Sequence, residues 1–378
     1  MSVWDELTGQ ADAVAVFSAA ADAQTIDSSM THSWLVTGPP GSGRSNIAYA
    51  FATALLSTGR DDEATARQVA ARTHPDLGVL STERVIISIE EVRKLVSTSQ
   101  FSPSVGRYRV MIIEDADRMT ERTSNVLLKA LEEPPPRTVW ILCAPSEADL
   151  IPTIRSRVRS VRLRVPAVDE VAALISRRDN VDLPTATRAA REAQSHIGMA
   201  HRLATNIDAR TRREETLRIA LGIRSVSDAV RAAGKLLELA GDDAKAITLE
   251  RDAEERASAM RSLGVEPGGT IPPALRAQLK NLEEDQKRRA TRSLRDGIDR
   301  IMVDLLSLYR DVLLIQLGAT VELINLSIHS DLLSASERSS AAATLATMDA
   351  IATARRRIES NVSPALALEA MLISAAGT

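Results

Sequence analysis

Three runs along the chain are apolar at nearly every consecutive position: Ser33-Trp34-Leu35-Val36-Thr37, Arg109-Val110-Met111-Ile112-Ile113 and Thr138-Val139-Trp140-Ile141-Leu142-Cys143. A strand with one wet face alternates apolar and polar residues, whereas a strand sandwiched between helices keeps no polar face. These runs therefore predict central strands of a parallel sheet, and the helical stretches between them predict an α/β domain over residues 1–165. From Pro166 onward strand signals fade, and Val168 to Arg177 and Thr185 to Ala193 space their apolar positions as helices do, which predicts a small helical domain over 166–213. The remainder, 214–378, reads as all-α, broken once at Gly264 to Pro273, where glycines and prolines cannot continue a helix. Leu275 to Arg295 is dense in Lys, Arg, Glu and Asp and reads as a solvated helix face, while Met302 to Leu317 returns to strong helical apolarity.

Composition narrows the picture. Hydrophobic residues at 44% and charged residues at 26% fall in the globular range, and no apolar run reaches the roughly 20 residues of a membrane helix. The acidic first residues lack the basic flank of a secretory signal, so a cytoplasmic address is expected. With 47 basic against 50 acidic residues, a net charge of −3 excludes a polycation that holds nucleic acid by bulk charge. Aromatic content of 2% argues against a base-stacking surface. The lone cysteine, Cys143, lies in an apolar run and reads as strand packing.

Candidate chemistry begins at Gly38-Pro39-Pro40-Gly41-Ser42-Gly43-Arg44-Ser45, between a predicted strand and a helix, the setting of a phosphate-binding P-loop. Gly38, Gly41 and Gly43 let backbone N–H groups converge on phosphate oxygens, and the Ser45 hydroxyl suits a magnesium ion, so ATP with Mg²⁺ is the candidate cofactor. Arg44 stands where a P-loop has lysine; its planar fork keeps the charge but not the compact ammonium. A ligand-free strand-to-helix turn is the alternative. At the end of the second strand, Glu114 and Asp115 occupy the place of a metal-holding acid and a water-orienting carboxylate in exchanged order, and one methylene of reach matters where catalysis depends on positioning. Capping of the next helix is the other reading of Asp115 and Asp117.

Leu127-Leu128-Lys129-Ala130-Leu131-Glu132-Glu133-Pro134-Pro135, a strand, and then Thr153-Ile154-Arg155-Ser156-Arg157 form a pattern that resembles bacterial clamp-loader subunits of the DNA polymerase III holoenzyme, above all their delta-prime subunits. The resemblance implies an AAA+ fold, with the helical segments as lid and C-terminal collar. It implies that Arg157, in a Ser-Arg motif followed here by Val158, is an arginine finger serving ATP on an adjacent subunit; a surface arginine among several is the alternative. Asp5 to Gln10 resembles the segment closing over adenine, and Gly198-Met199-Ala200-His201-Arg202 the sensor-2 region, with His201 where motor subunits carry arginine. Thr73-His74-Pro75-Asp76 is kept while the four-cysteine zinc module that precedes it in gamma-type subunits is replaced by Asp61 to Arg72, so no zinc site is expected. The implied partners are gamma/tau-type and delta subunits, with the sliding clamp and primed DNA reached through the complex and no membrane contact. Met302 to Leu317 would offer the apolar surface for collar association. The implied role is a stator with weak or absent ATPase of its own; an independently active AAA+ ATPase and a nucleotide-binding scaffold are the alternatives. Elemental analysis of protein purified without added metal is expected to find no stoichiometric zinc, and one zinc per chain would overturn that expectation.

Overall fold

The computed structural model describes residues 3–4, 7–22, 30–59, 62–82, 86–262, 273–360 and 362–376. Asp5 and Glu6 of the segment that resembles the one closing over adenine, Asp61, and Gly264 to Pro272 of the expected break lie outside the described residues. The chain forms two compact units, Met1–Thr205 and Asn206–Thr378.

The first unit carries α1 (Ala11–Asp22), β1 (Ser33–Thr37), α2 (Arg44–Leu56), α3 (Asp62–Ala70), β2 (Leu77–Leu80), α4 (Ile89–Ser99), β3 (Arg109–Ile113), α5 (Glu121–Glu132), β4 (Thr138–Ala144), α6 (Pro152–Arg155) and β5 (Arg159–Arg162), then α7 (Val168–Asp179), α8 (Leu183–Glu192) and α9 (Ile197–Thr205). The five strands form one parallel sheet in the order β2-β3-β4-β1-β5, with Val36 opposite Cys143 and Val161 on its two neighbours. Every residue of β1, β3 and β4 is buried, as their unbroken apolar runs require of strands covered on both faces. Alternation then sorts the side chains. Trp34, Val36, Val110, Ile112, Val139, Ile141 and Cys143 pack against α1 and α2, where Phe17, Trp34 and Phe51 meet with ring centroids 4.7 to 5.4 Å apart. Leu35, Met111, Ile113, Trp140 and Leu142 pack on the opposite face with Val92, Leu127 and Leu131. This is the helix-covered parallel sheet expected from the sequence.

The retained Asp76 is a clasp. Its fully buried carboxylate accepts N–H bonds from Ser104, Val105 and Gly106 at 2.7 to 2.8 Å, the Ser104 hydroxyl at 2.9 Å and Arg109 Nη2 at 3.0 Å. Burial by itself raises this carboxyl's pKa, but the N–H groups of Gly106, Ser104 and Val105 outweigh it and hold it below its ordinary value. Neighbouring His74 accepts the Asp76 N–H at Nδ1 (3.1 Å), and burial holds its ring below the usual imidazole range.

The second unit is all helical: α10 (Ile207–Leu221), α11 (Val226–Ser262), α12 (Pro273–Gln316), α13 (His329–Arg338), α14 (Ala341–Glu359) and α15 (Pro364–Ala376). Here the structure corrects one expectation. Met302, Leu305, Leu308 and Val312, read as an association surface, are buried in the unit's own core against Leu217, Leu332, Ile351 and Leu368. The apolar stripe on α12 is covered by α11, α13 and α14, because a helix lowers its free energy by burying its stripe against the nearest available helices. A set of buried polar groups pairs within the same core: Arg213 donates to Asp304 at 3.0 Å and to Asn325 at 2.6 Å, and Asp311 accepts the N–H groups of Ile324 (2.9 Å) and Asn325 (2.7 Å). Among the described residues no helix is long and apolar enough to cross a membrane.

Asp76→Ala leaves Arg109 buried without its carboxylate and is expected to destabilise the first unit by about 3–5 kcal/mol, read by chemical denaturation. Because the folded-state pKa is depressed, this contribution is complete above the ordinary value of 3.8 and is lost as pH falls through the lower folded-state value. Asp76→Asn is therefore expected to flatten the acid limb of the stability curve.

Candidate functional site

β1 lies between β4 and β5, and the chain leaves it for β2 at the far edge of the sheet, so the loop after β1 opens at a switch point beyond the strand ends. That loop is the predicted P-loop. Gly43 caps α2 in a left-handed conformation (φ 90°, ψ 22°), and Gly41 is left-handed too (φ 81°). The loop is tied to its surroundings by Gly38 N–H donating to Pro145 O at 3.2 Å and by Gln10, whose Nε2 donates to Ser42 O at 3.2 Å and Arg164 O at 2.9 Å. A cavity of about 600 Å³ opens beside it, lined by Pro39, Pro145 and Arg162 to Val165.

The turn between α8 and α9 meets this loop through a residue that the sequence did not single out. Gln194 and Ser195 both adopt positive φ (51° and 62°), a strained pair that turns the chain out of α8 and delivers His196 onto Gly41. A Cβ added at Gly41 would lie 2.3 Å from His196 Cγ. The His196 ring is oriented from behind by Met199 N–H, which donates to its Nδ1 at 3.2 Å. His201, singled out as the sensor-2 position, pairs with Asp179 on α7 at 2.7 Å.

At the acidic end, Glu114 faces the P-loop helix: its Oε2 accepts from Ser45 Oγ at 3.4 Å, while its Oε1 accepts from Tyr49 and, at 2.9 Å, from Arg72 Nη2. Burial, followed by the hydrogen bond to Glu114, pushes the Tyr49 phenol well above its ordinary range, and the Arg72 guanidinium lies 5.5 Å from that ring's centroid. Asp115 is left-handed (φ 50°, ψ 48°), makes no capping bond to the short turn after it, and pairs with Arg118 at 3.5 Å. Asp117 Oδ1 is buried without a partner, and burial, then the charge of Asp115, raises its pKa. Tyr49 and Arg72 carry no motif; only the folded chain brings them to Glu114.

Arg44 Nη1 and Ser42 Oγ are buried with no hydrogen-bond partner, so the loop holds a cationic donor and a hydroxyl ready for an anion. Gly38, Gly41, Gly43, Arg44 and Ser45 therefore suit a phosphate. The metal half suits its ion poorly, because Arg72 and Tyr49 already engage the Glu114 carboxylate. Among the described residues no group of three or more His, Cys, Asp or Glu could hold a metal ion.

Arg157 lies between α6 and β5, its side chain about one-third exposed (33%). Its Nε donates to Glu132 Oε1 at 2.5 Å, and its Nη1 donates to Thr153 O at 2.7 Å and Ser156 Oγ at 3.0 Å. Glu132 is the last residue of α5, which the three prolines terminate.

Residues 9–167 match the family model described as DNA polymerase III, delta subunit. The matched segment is less than half of this chain. DNA polymerase III subunit delta' of Pseudomonas aeruginosa is 37% identical over 134 residues, 33% of this chain and 41% of that protein. DNA polymerase III subunit gamma/tau of Mycobacterium bovis is 28% identical over 182 residues, 46% of this chain and 30% of that protein. The match thus spans less than half the length of either relative. A gamma subunit-related protein of Thermotoga maritima superposes with a TM-score of 0.41 at 17% identity, over 91% of this chain and 93% of that one.

Gly41→Ala is expected to destabilise by more than the roughly 1–2 kcal/mol that a left-handed backbone costs an L residue, and His196→Ala to bring the loss back toward that figure. A double-mutant cycle in urea is expected to read a coupling of about 0.5–3 kcal/mol; a coupling near zero would mean that the ring is not seated on Gly41.

Proposed function

We propose that this chain is a delta-prime-type subunit of a DNA polymerase III clamp loader, a stator that supplies Arg157 to ATP held by an adjacent gamma/tau-type subunit while the sliding clamp is loaded onto primed DNA. The observation that carries this reading is the Arg157 guanidinium, held just after the four-residue α6 by Thr153 O and Ser156 Oγ of its own chain rather than left as a free surface side chain. A guanidinium fixed in direction, aimed at a neighbour's transferring phosphoryl group, stabilises the charge that develops on its oxygens without reorganising at the moment of reaction. Delta would complete the assembly.

The chain's own P-loop supports the stator part. Arg44 replaces the lysine, and the Glu114 carboxylate that would hold a metal ion is bound by Arg72 and Tyr49, so hydrolysis here is weak or absent. The orphaned Arg44 Nη1 keeps phosphate binding in play and favours, as a second reading, an AAA+ ATPase in its own right. The two differ in whether purified chain alone turns over ATP in a manner that Ser45→Ala abolishes.

In a loader reconstituted with gamma/tau-type and delta subunits, Arg157→Ala is expected to slow hydrolysis at the served site on the order of 10³-fold, with ring assembly unchanged by size-exclusion chromatography. An unchanged rate would remove Arg157 from the mechanism.

A further inference from the structure

We infer that Glu132 withholds the arginine finger: its carboxylate competes with the neighbouring subunit's phosphate for Arg157, and the finger acts when Glu132 lets go. The inference rests on the reading of Arg157 proposed above.

A guanidinium has five N–H donors in a fixed fork. Both Nη1 donors are spent on the chain itself, on Thr153 O (2.7 Å) and Ser156 Oγ (3.0 Å), and Ser156 Oγ in turn donates to Thr153 O at 3.1 Å. The Nε–H donates to Glu132 Oε1 at 2.5 Å, and Nη2 approaches the same oxygen. One Nη2 donor is left. A two-pronged grip on a phosphate needs two parallel N–H groups, so the grip cannot form while Glu132 stays in place. The carboxylate also cancels the charge on which stabilisation of the transferring phosphoryl group depends.

The pair is built to exchange. Its side chains are 33% and 45% exposed, a setting in which ion pairs are weak and screened. Glu132 also sits at the carboxyl end of α5, where the helix dipole disfavours an anion, so its carboxylate is held there mainly by the guanidinium itself. A phosphate with more charge than a carboxylate can displace it, while the Thr153 and Ser156 bonds keep the guanidinium in position.

The test uses the reconstituted loader with Glu132→Gln, which keeps the shape and removes the charge. Hydrolysis without DNA is expected to rise roughly two- to fivefold, the factor by which loss of an exposed ion pair shifts an equilibrium, and Glu132→Asp to fall back toward wild type. The rise must vanish in Glu132→Gln/Arg157→Ala; a rise that persists there does not pass through Arg157 and overturns the inference. An unchanged or lower rate in Glu132→Gln, with Arg157→Ala still slow, overturns it while sparing the finger. A silent Arg157→Ala removes both.

Discussion

Parallel pairing is the constraint on which the first unit depends. Two neighbouring strands that run the same way cannot be joined by a tight turn, so each connection must cross a face of the sheet as a helix, and the carboxyl ends of the strands are left facing a common edge. Because β1 is flanked by β4 and β5 while its crossover leads to the distant β2, the loop after β1 opens into a gap rather than onto a neighbouring crossover. The P-loop is mounted there, Glu114 at the end of β3, and the β4–β5 connection carries Arg157. The same pairing explains why the strands are apolar on both faces and why Trp34 and Trp140, on opposite faces, are both buried.

Seen together, the charged groups of this edge are mostly spoken for by the chain itself. Glu114 answers to Arg72 and Tyr49, Asp115 to Arg118, and Arg157 to Glu132. A site that holds a metal nucleotide needs its acid end open, and here that end is closed by bonds from Arg72 and Tyr49. The cationic end differs: Arg44 Nη1 is buried without a partner, at an energetic cost that only an anion or a water would relieve. The site is thus asymmetric, its acid end paired within the chain and its cationic end left without a partner at Arg44 Nη1.

The second unit shows how far packing overrides a surface reading. The α12 stripe had the spacing and apolarity of an interface, yet α11, α13 and α14 take it up. What holds the register of that bundle is a small set of buried polar bonds around Arg213, Asp304, Asp311 and Asn325, each of which would be costly if left alone and so selects one arrangement of the helices.

From the sequence alone, the covered strands, the helix ends at prolines and the glycine turn before α2 can be read, because each depends on residues that are neighbours in the chain: an apolar run has no polar face, proline has no N–H, and glycine alone adopts φ 81° and 90° without strain. The pattern around Leu127 to Pro135 and Ser156-Arg157 likewise lies within short stretches. Only the tertiary structure decided that Arg72 and Tyr49 meet Glu114, that His196 rather than His201 sits against Gly41, that Asp76 gathers Ser104 to Gly106, and that Glu132 reaches Arg157. These contacts join residues 25 to 65 positions apart in the hydrogen-bonded cases and more than that for Gly41 and His196. No periodicity or spacing encodes such a meeting; it follows from which strands lie side by side and where the crossover helices put their ends.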